Sequence, residues 1–534
     1  MTKNVLQFCC MLIMCSSLNL LAQSQTTFLK KAEKKVFDQS TKRTNCVEKT
    51  AISGKEIEFP HIASAIPTTS ERSSVGITVG QTSYDLQTNN AVCRRLALDN
   101  NGMAHSVWTM SLTGDAAAPD RGTGYNTIDV NTLEAGEWPT DRLETDRNGW
   151  PNLGITESGR IFSISHFAGS TDFFGGLSWV YKNLEDTEWT HEAFPVGDGN
   201  DTWARAAVDG NTIHVIAGRQ GADGEEACGL PGGLNYYRSI DGGDTWEEMP
   251  CIPGVNSDVF PRLSGDGYAI DASNGTVAIV AGTHKPVMFK GMDMGEMGVE
   301  WVPYRVLVEL ENPLYFPDEG TTLPMTVRTD ESYSILIDNN NTVHVWYGRV
   351  VIENEVGDTG SWFPGNNGLM YWNDGFAEGQ EPEVIGETVR FNSEGNDTSF
   401  VFDFNTHNPN LYFPNQVSMA SSGIDADGNL YVSYSSIVEG AIDDVTGEYF
   451  RDLFLIKSTD GGASWIGPYN VSNNPSEEAV YGSMARTVTD KVHILYQSDI
   501  YPGIVVQQTQ PDIVFNDINY VQVGIDEIVT PDPN

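Results

Sequence analysis

The sequence predicts an all-β chain folded as a seven-bladed β-propeller of four-stranded antiparallel blades, with a six-bladed ring as the alternative. Three observations carry this. One phrase recurs seven times, its apolar stretches alternate with period two, and no segment of any length has helical periodicity.

The recurring phrase is an apolar stretch, a turn of Asp, Asn and Gly, and a second alternating apolar stretch. Its copies are Arg95–Trp108, Asn152–Ser165, Arg205–Ala217, Tyr268–Ala281, Ser334–Tyr347, Ser421–Tyr434 and Arg486–Tyr496. Alternation rich in Val, Ile, Tyr and Trp reads as strand, and the turn residues supply the positive φ that tight hairpins demand. Seven phrases therefore mean seven hairpins. Spacings of roughly 50 to 90 residues leave room for a second hairpin in each unit, which makes a four-stranded blade.

A ring must close. Gly76–Asp85 alternates and precedes the first repeat, so it is expected to pair beside Gly503–Gln508 in the last blade. The resulting layout is a propeller over 74–518, an N-terminal arm over 23–73 and a tail over 519–534. The arm is basic, with Lys30, Lys31, Lys34, Lys35, Lys42, Arg43, Lys49 and Lys55 against Glu33, Asp38 and Glu48, and is expected to lie on an acidic body. Residues 1–22 read as a secretory signal peptide: Lys3, an apolar run from Val5 to Leu21, then Ala22. That run is short and interrupted by Gln7, Ser16, Ser17 and Asn19, and nothing later in the chain could span a bilayer. The expected location is secreted or cell-surface.

Outside the leader the cysteines are Cys46, Cys93, Cys228 and Cys251, an even number. In an oxidising compartment Cys228 and Cys251 are the natural disulfide, since they flank a predicted hairpin, and Cys46 with Cys93 would tie the arm to the first blade. The net charge of −42 becomes −43 once Lys3 is lost with the leader. That balance excludes nucleic acid as a partner. No cofactor is implied. Asp425–Asn429 has calcium-like oxygen spacing, which an ordinary hairpin turn also explains.

Ser239–Trp246 and Ser458–Trp465 both read S-x-D-x-G-x-[T/S]-W after a strand, with a degenerate version at Met292–Trp301. They resemble the Asp box (BNR repeat) of sialidase-like propellers. The resemblance implies that Asp241, Gly243, Trp246, Asp460, Gly462 and Trp465 are structural and lie on the face opposite the functional one. Tyr84–Asn89, the loop Pro119–Asn126 and Gly149–Gly154 look like phrases of exported propeller proteins from Bacteroidetes with no settled activity. Many of those end in a type IX secretion sorting domain behind a segment like Val523–Asn534, where this chain stops; export by that route stays open.

Ligands should then meet the loops after each repeat's second strand and before its first, which are long at 110–127, 166–177, 219–233, 349–368 and 436–450. Arg95, Arg205 and Arg486 each stand four residues before the turn Asp of their repeat. Sialidases grip a substrate carboxylate with three arginines, because the guanidinium fork matches it bidentately; the competing reading is blade-to-blade ion pairing. Arg121, in the 110–127 loop, is a further candidate. His105, His214, His344 and His493 share one repeat position, with Tyr431 there in the sixth copy, and such repetition marks a structural role. His166 and His284 fall just past their second strands on the ligand side, and His166 is the preferred functional histidine. The sialidase F/Y-R-I-P phrase is absent, Cys93–Leu96 being the nearest stand-in, and no Tyr/Glu nucleophile pair can be picked out. Two functions fit: a module that binds a glycan or an envelope protein through its loop face, or a carbohydrate-active enzyme, either a sialidase-type glycosidase or a lyase of acidic polysaccharide.

Overall fold

The computed structural model describes a strand at Thr44–Val47 and residues 75–530, apart from 169–173, 220–225, 309–325, 387–411 and shorter breaks. The expected leader, most of the arm, and His284 lie outside the described residues. Seven antiparallel blades form the ring, each with one repeat phrase as its two inner strands. Blade 1 is Leu96–Leu98, Met103–Met110 and Gly122–Asp129, with only an Ile128–Ala135 bridge where a fourth strand would be. Blades 2 to 6 run outward from Asn148–Ile155, Asp201–Asp209, Tyr268–Ser273, Ser334–Ile337 and Val417–Ile424, each with four successively paired strands, to which blade 5 adds further strands on its long second one. Apart from three single-turn 3-10 segments, no helix occurs among the described residues, and none is long and apolar enough to cross a membrane.

Blade 7 closes the ring as Glu478–Met484, Lys491–Asp499, Asn516–Gly524 and, outermost, the N-terminal strand Ile77–Thr82. The closing partner is therefore not Gly503–Gln508. Val505–Gln507 is a 3-10 turn whose Val505 N–H donates to the Asp85 carboxylate, which holds that loop over the axis. Residues 519–524, expected in the tail, belong to this third strand.

The core lies mostly between blades. Val, Ile and aromatic side chains from facing sheets are fully buried, as in the cluster joining Ile216, Tyr236, Tyr268, Ile279 and Phe289 of blades 3 and 4. The turns of Ser239–Trp246 and Ser458–Trp465 share one hydrogen-bond pattern. Ser239 Oγ donates to Asp241 Oδ1 (2.8 Å) and accepts from Gly243 N–H (2.7 Å), while Thr245 N–H and Oγ1 donate to the same carboxylate. Ser458, Asp460, Gly462 and Ser464 repeat the pattern. Each turn rests on the preceding blade: Trp246 meets Trp179 edge-on at 5.1 Å, and Trp465 meets Tyr371 at 5.2 Å. Gly462 has φ +92°, and a Cβ there would lie 1.9 Å from the Tyr371 hydroxyl. Gly462→Ala is thus expected to cost roughly 2–4 kcal/mol, from left-handed strain plus overpacking, read as a lower urea midpoint; a midpoint unchanged from wild type would contradict it.

At the degenerate copy the turn is built otherwise. Asp293 accepts from Gly295 N–H and from Arg238 of blade 3, and Trp301 packs on Tyr236 at 5.7 Å. The repeated histidines are structural: Nδ1 of His105, His214 and His344 meets the hydroxyl of Tyr125, Tyr236 and Tyr371 on the next strand at 2.7–2.8 Å, and His493 meets Tyr520 likewise. Asp425 uses its oxygens on Asn429 and on Tyr431, as a hairpin turn does.

Cys228 and Cys251 are disulfide-bonded, with Cα atoms 5.7 Å apart, on either side of the Ser239–Trp246 turn. The expected Cys46–Cys93 bond is absent: Cys93 is a free, buried thiol at the axis. Backbone pairing instead places Thr44–Val47 beside Thr359–Phe363, an extension of blade 5.

Candidate functional site

A backbone irregularity recurs in the innermost strands of blades 2, 3, 6 and 7 and just before those of blades 4 and 5. Trp150, Trp203, Asp266, Glu331, Met419 and Tyr481 all have φ between 48° and 67°, left-handed values that non-glycine residues adopt only at a cost. In blades 2, 3, 6 and 7 a register shift brackets that residue, as a β-bulge does. The bulge turns the side chain that would otherwise continue the strand toward the axis at the loop face. Six such residues ring the mouth of the channel.

What they surround is the chain's own segment Ser83–Val92, which links the closing strand to blade 1 and is buried along its length. Trp150, Trp203, Met419 and Tyr481 form one apolar cluster with Tyr84 and Leu86 of that segment and with Tyr412 and Ile504. The two acidic left-handed residues bind its polar part. Asp266 accepts from Thr88 Oγ1 and Asn89 N–H (both 3.1 Å), and Glu331 accepts from Asn90 Nδ2 (2.8 Å). Gln87 donates to Thr109 O and accepts from Thr109 N–H. The segment is a plug, held by hydrogen bonds from blades 1, 3, 4, 5 and 7.

The three register-matched arginines do not form an open anion grip. Arg95 donates to Gln87 Oε1 (3.0 Å) and to the Tyr481 carbonyl, and burial lowers its pKa to about 10. Arg205 donates to Ala91 O (2.8 Å) and pairs with Asp266 (3.2 Å). Arg486 reaches across the ring to Asp271 of blade 4, Nε to Oδ1 at 3.0 Å and Nη2 to Oδ2 at 3.0 Å. Asp271 also accepts from Arg94 (3.0 Å) and from Ile337 N–H (2.8 Å), so one carboxylate ties blades 1, 4, 5 and 7. Of the two readings of these arginines, the arrangement matches the pairing one: the plug, two aspartates and neighbouring carbonyls accept their hydrogen bonds. An axial cavity lined by Val92, Arg94, Asn152, Arg205, Tyr333 and Ser421 holds about 30 Å³, space for water rather than a sugar.

Arg121 and His166 both pack on Trp150, at the edge of the plug. The Arg121 guanidinium lies 4.7 Å over Trp150 and 4.9 Å over Tyr84, with Nη1 donating to the Tyr84 hydroxyl at 3.1 Å. His166 stacks on Trp150 at 4.8 Å, and its Nδ1 accepts the Trp203 N–H at 3.2 Å. Burial, then Arg121 and Arg205, hold its pKa well below the ordinary histidine value. Burial and the neighbouring guanidinium groups thus favour the neutral imidazole, which packs between the Trp150 and Trp203 rings.

A cluster that the sequence reading missed lies where blades 6 and 7 meet the plug. Glu478, first residue of blade 7, accepts from the Arg451 N–H, faces the Arg451 guanidinium (3.8 Å) and is hydrogen-bonded by Tyr412; Arg451 also lies 5.2 Å over the Tyr412 ring. Burial raises the Glu478 carboxyl to about 8 and that of Asp85 to about 7. Tyr412 sits outside every repeat and Arg451 on a third strand, so no spacing signals their meeting. The only available hint was Glu478 itself, an acidic residue opening an inner strand.

No family model matches the chain, and no curated protein matches it. Among solved structures it is similar to an ulvan lyase of a new polysaccharide lyase family, with TM-score 0.31 and 11% identity over 79% of this chain and 84% of that one. It is also similar to the Trypanosoma rangeli sialidase in complex with the inhibitor DANA, with TM-score 0.34 and 11% identity over 71% of this chain and 55% of that one. A third similarity is to a Penicillium chrysogenum alpha-L-arabinanase complexed with arabinobiose, with TM-score 0.38 and 11% identity over 72% of this chain and 95% of that one.

Proposed function

We propose that the protein is an exported binding propeller whose loop face holds a glycan or another envelope protein. One observation carries this reading: Ser83–Val92 fills the axial mouth and occupies the donors of Arg95 and Arg205, so a ligand must be met by the surrounding loops. The acidic charge of the chain suits a neutral or cation-bearing partner and disfavours a polyanion. The disulfide fits an oxidising compartment. A glycan array run beside a reducing-end assay tests the proposal: retention of a glycan without release of reducing ends supports it, and turnover of sialylated or uronate-rich polymers refutes it.

The second reading, a carbohydrate-active enzyme, is favoured by the Glu478, Arg451 and Tyr412 cluster. A carboxyl raised to about 8 and hydrogen-bonded by a tyrosine is what acid–base chemistry uses. Here the cluster is closed to solvent, since Glu478 is 0% and Tyr412 2% exposed. If this reading holds, Glu478→Gln abolishes any turnover found while leaving glycan retention intact.

A further inference from the structure

Three thioethers stand at one hairpin tip on the Asp-box side of blade 4. Met292 ends the strand Val287–Asp293, Met294 follows it, and Met297 closes the 3-10 turn Gly295–Met297. Their exposures are 42%, 41% and 80%, whereas Met110, Met249, Met288, Met370, Met419 and Met484 are buried. Exposed methionine gives up the transfer free energy that normally draws this side chain inward, and here three gather within six residues.

The local geometry gives them a common side. Along an extended strand residues two apart share a face, so Met292 and Met294 point away from Asp293. Asp293 turns inward: it accepts from Arg238 Nη1 (2.6 Å) and from Gly295 N–H (2.8 Å), and Arg238 also donates to Gly295 O (2.7 Å). Met294 N–H donates to Gly298 O (2.8 Å), closing the turn that brings Met297 back. The tip is thus rigid, pinned by an ion pair from the neighbouring blade, and Met292 Sδ lies 3.7 Å from Thr276 Oγ1. Glu300 faces Met292 across the hairpin and Glu296 is exposed in the turn, so the tip is negative.

A rigid, anionic tip carrying three polarizable sulfurs and no nitrogen ligand suits a soft monovalent cation, because thioethers select Cu(I) over harder ions. We propose that Met292, Met294 and Met297 form a thioether site for Cu(I). It shares no residue with the axial site, so it stands or falls apart from the binding function above.

The test uses the protein with ¹³C-methyl-labelled methionine and Ag(I), a redox-inert stand-in for Cu(I). The ε-methyl resonances of Met292, Met294 and Met297, assigned from single Met→Leu variants, should shift together and saturate at one equivalent. Each single variant should weaken Ag(I) binding at least about tenfold, and M292L/M294L/M297L should lose it. Leucine preserves size at an exposed tip, so folding is not the readout. Three unmoved resonances would overturn the site. So would shifts that fail to saturate, or silver uptake that the triple variant retains, as a buried Cys93 thiol would produce.

Discussion

Asp271→Ala is expected to cost about 3–5 kcal/mol, the range for breaking a buried ion pair and leaving its partners behind. The Asp271 side chain is 1% exposed and receives Arg486, Arg94 and Ile337 N–H from three other blades. Its loss leaves two guanidinium groups, 20–25% exposed, facing each other in the axial channel with no carboxylate. At about 2.1 cal/mol/K per residue of unfolding entropy, the melting temperature should fall by about 3–5 °C. The triple replacement R94M/D271M/R486M removes all three charges at similar volume and should recover most of the loss. A single variant melting within about 1 °C of wild type would show that the carboxylate is not the hub described above.

The second large effect is the dependence of stability on pH, where two sets of buried groups act in opposite directions. Glu478 has a folded pKa raised from 4.5 to about 8, so its contribution is fully present below pH 4.5 and is lost as pH rises through 8. Asp85, raised to about 7, acts in the same sense. His214 and His493 are depressed by burial to about 3 and about 4, so their contributions are full above pH 6.5 and lost as pH falls through those values. Between pH 4.5 and 6.5 the two sets offset; above 6.5 stability should decline, and below 4.5 it should decline as well. Since one pKa unit corresponds to about 1.4 kcal/mol, the Glu478 limb alone is worth several kcal/mol. Glu478→Gln keeps the neutral shape and should make the alkaline limb shallower, with Asp85 still contributing, while H214Q/H493Q should make the acid limb shallower, with the depressed His105 and His166 still contributing. Urea midpoints from pH 4 to 9 measure both, and an alkaline limb unchanged in Glu478→Gln would show that this carboxyl is already ionised in the fold.

The candidate site was legible only where a residue belonged to the repeat. Arg95, Arg205 and Arg486 were found from their register, and all three do lie at the axis. Their partners were not legible, because Gln87, Asp266 and Asp271 come from other stations of the chain, and nothing in the spacing tells which guanidinium meets which carboxylate. The phrases Tyr84–Asn89 and Gly149–Gly154 were noticed as resemblances, without a hint that one is the plug and the other contains the bulge residue that clasps it. A left-handed Trp150 or Tyr481 has no compositional signature, since glycine or asparagine is the residue that announces positive φ.

Seven hairpins, the strand alternation, the turns at Ser239–Trp246 and Ser458–Trp465 and the Cys228–Cys251 pairing were determined by the sequence alone. Each rests on contacts between residues near in sequence, where turn chemistry and period-two patterning act directly. Tertiary structure decided the rest: which strand receives Ile77–Thr82, why Cys93 stays free, and that the channel is filled from within. Those outcomes depend on pairs such as Arg95 with Tyr481 or Arg486 with Asp271, hundreds of residues apart. Closing the ring brings them together, and burial and charge then choose among the available partners.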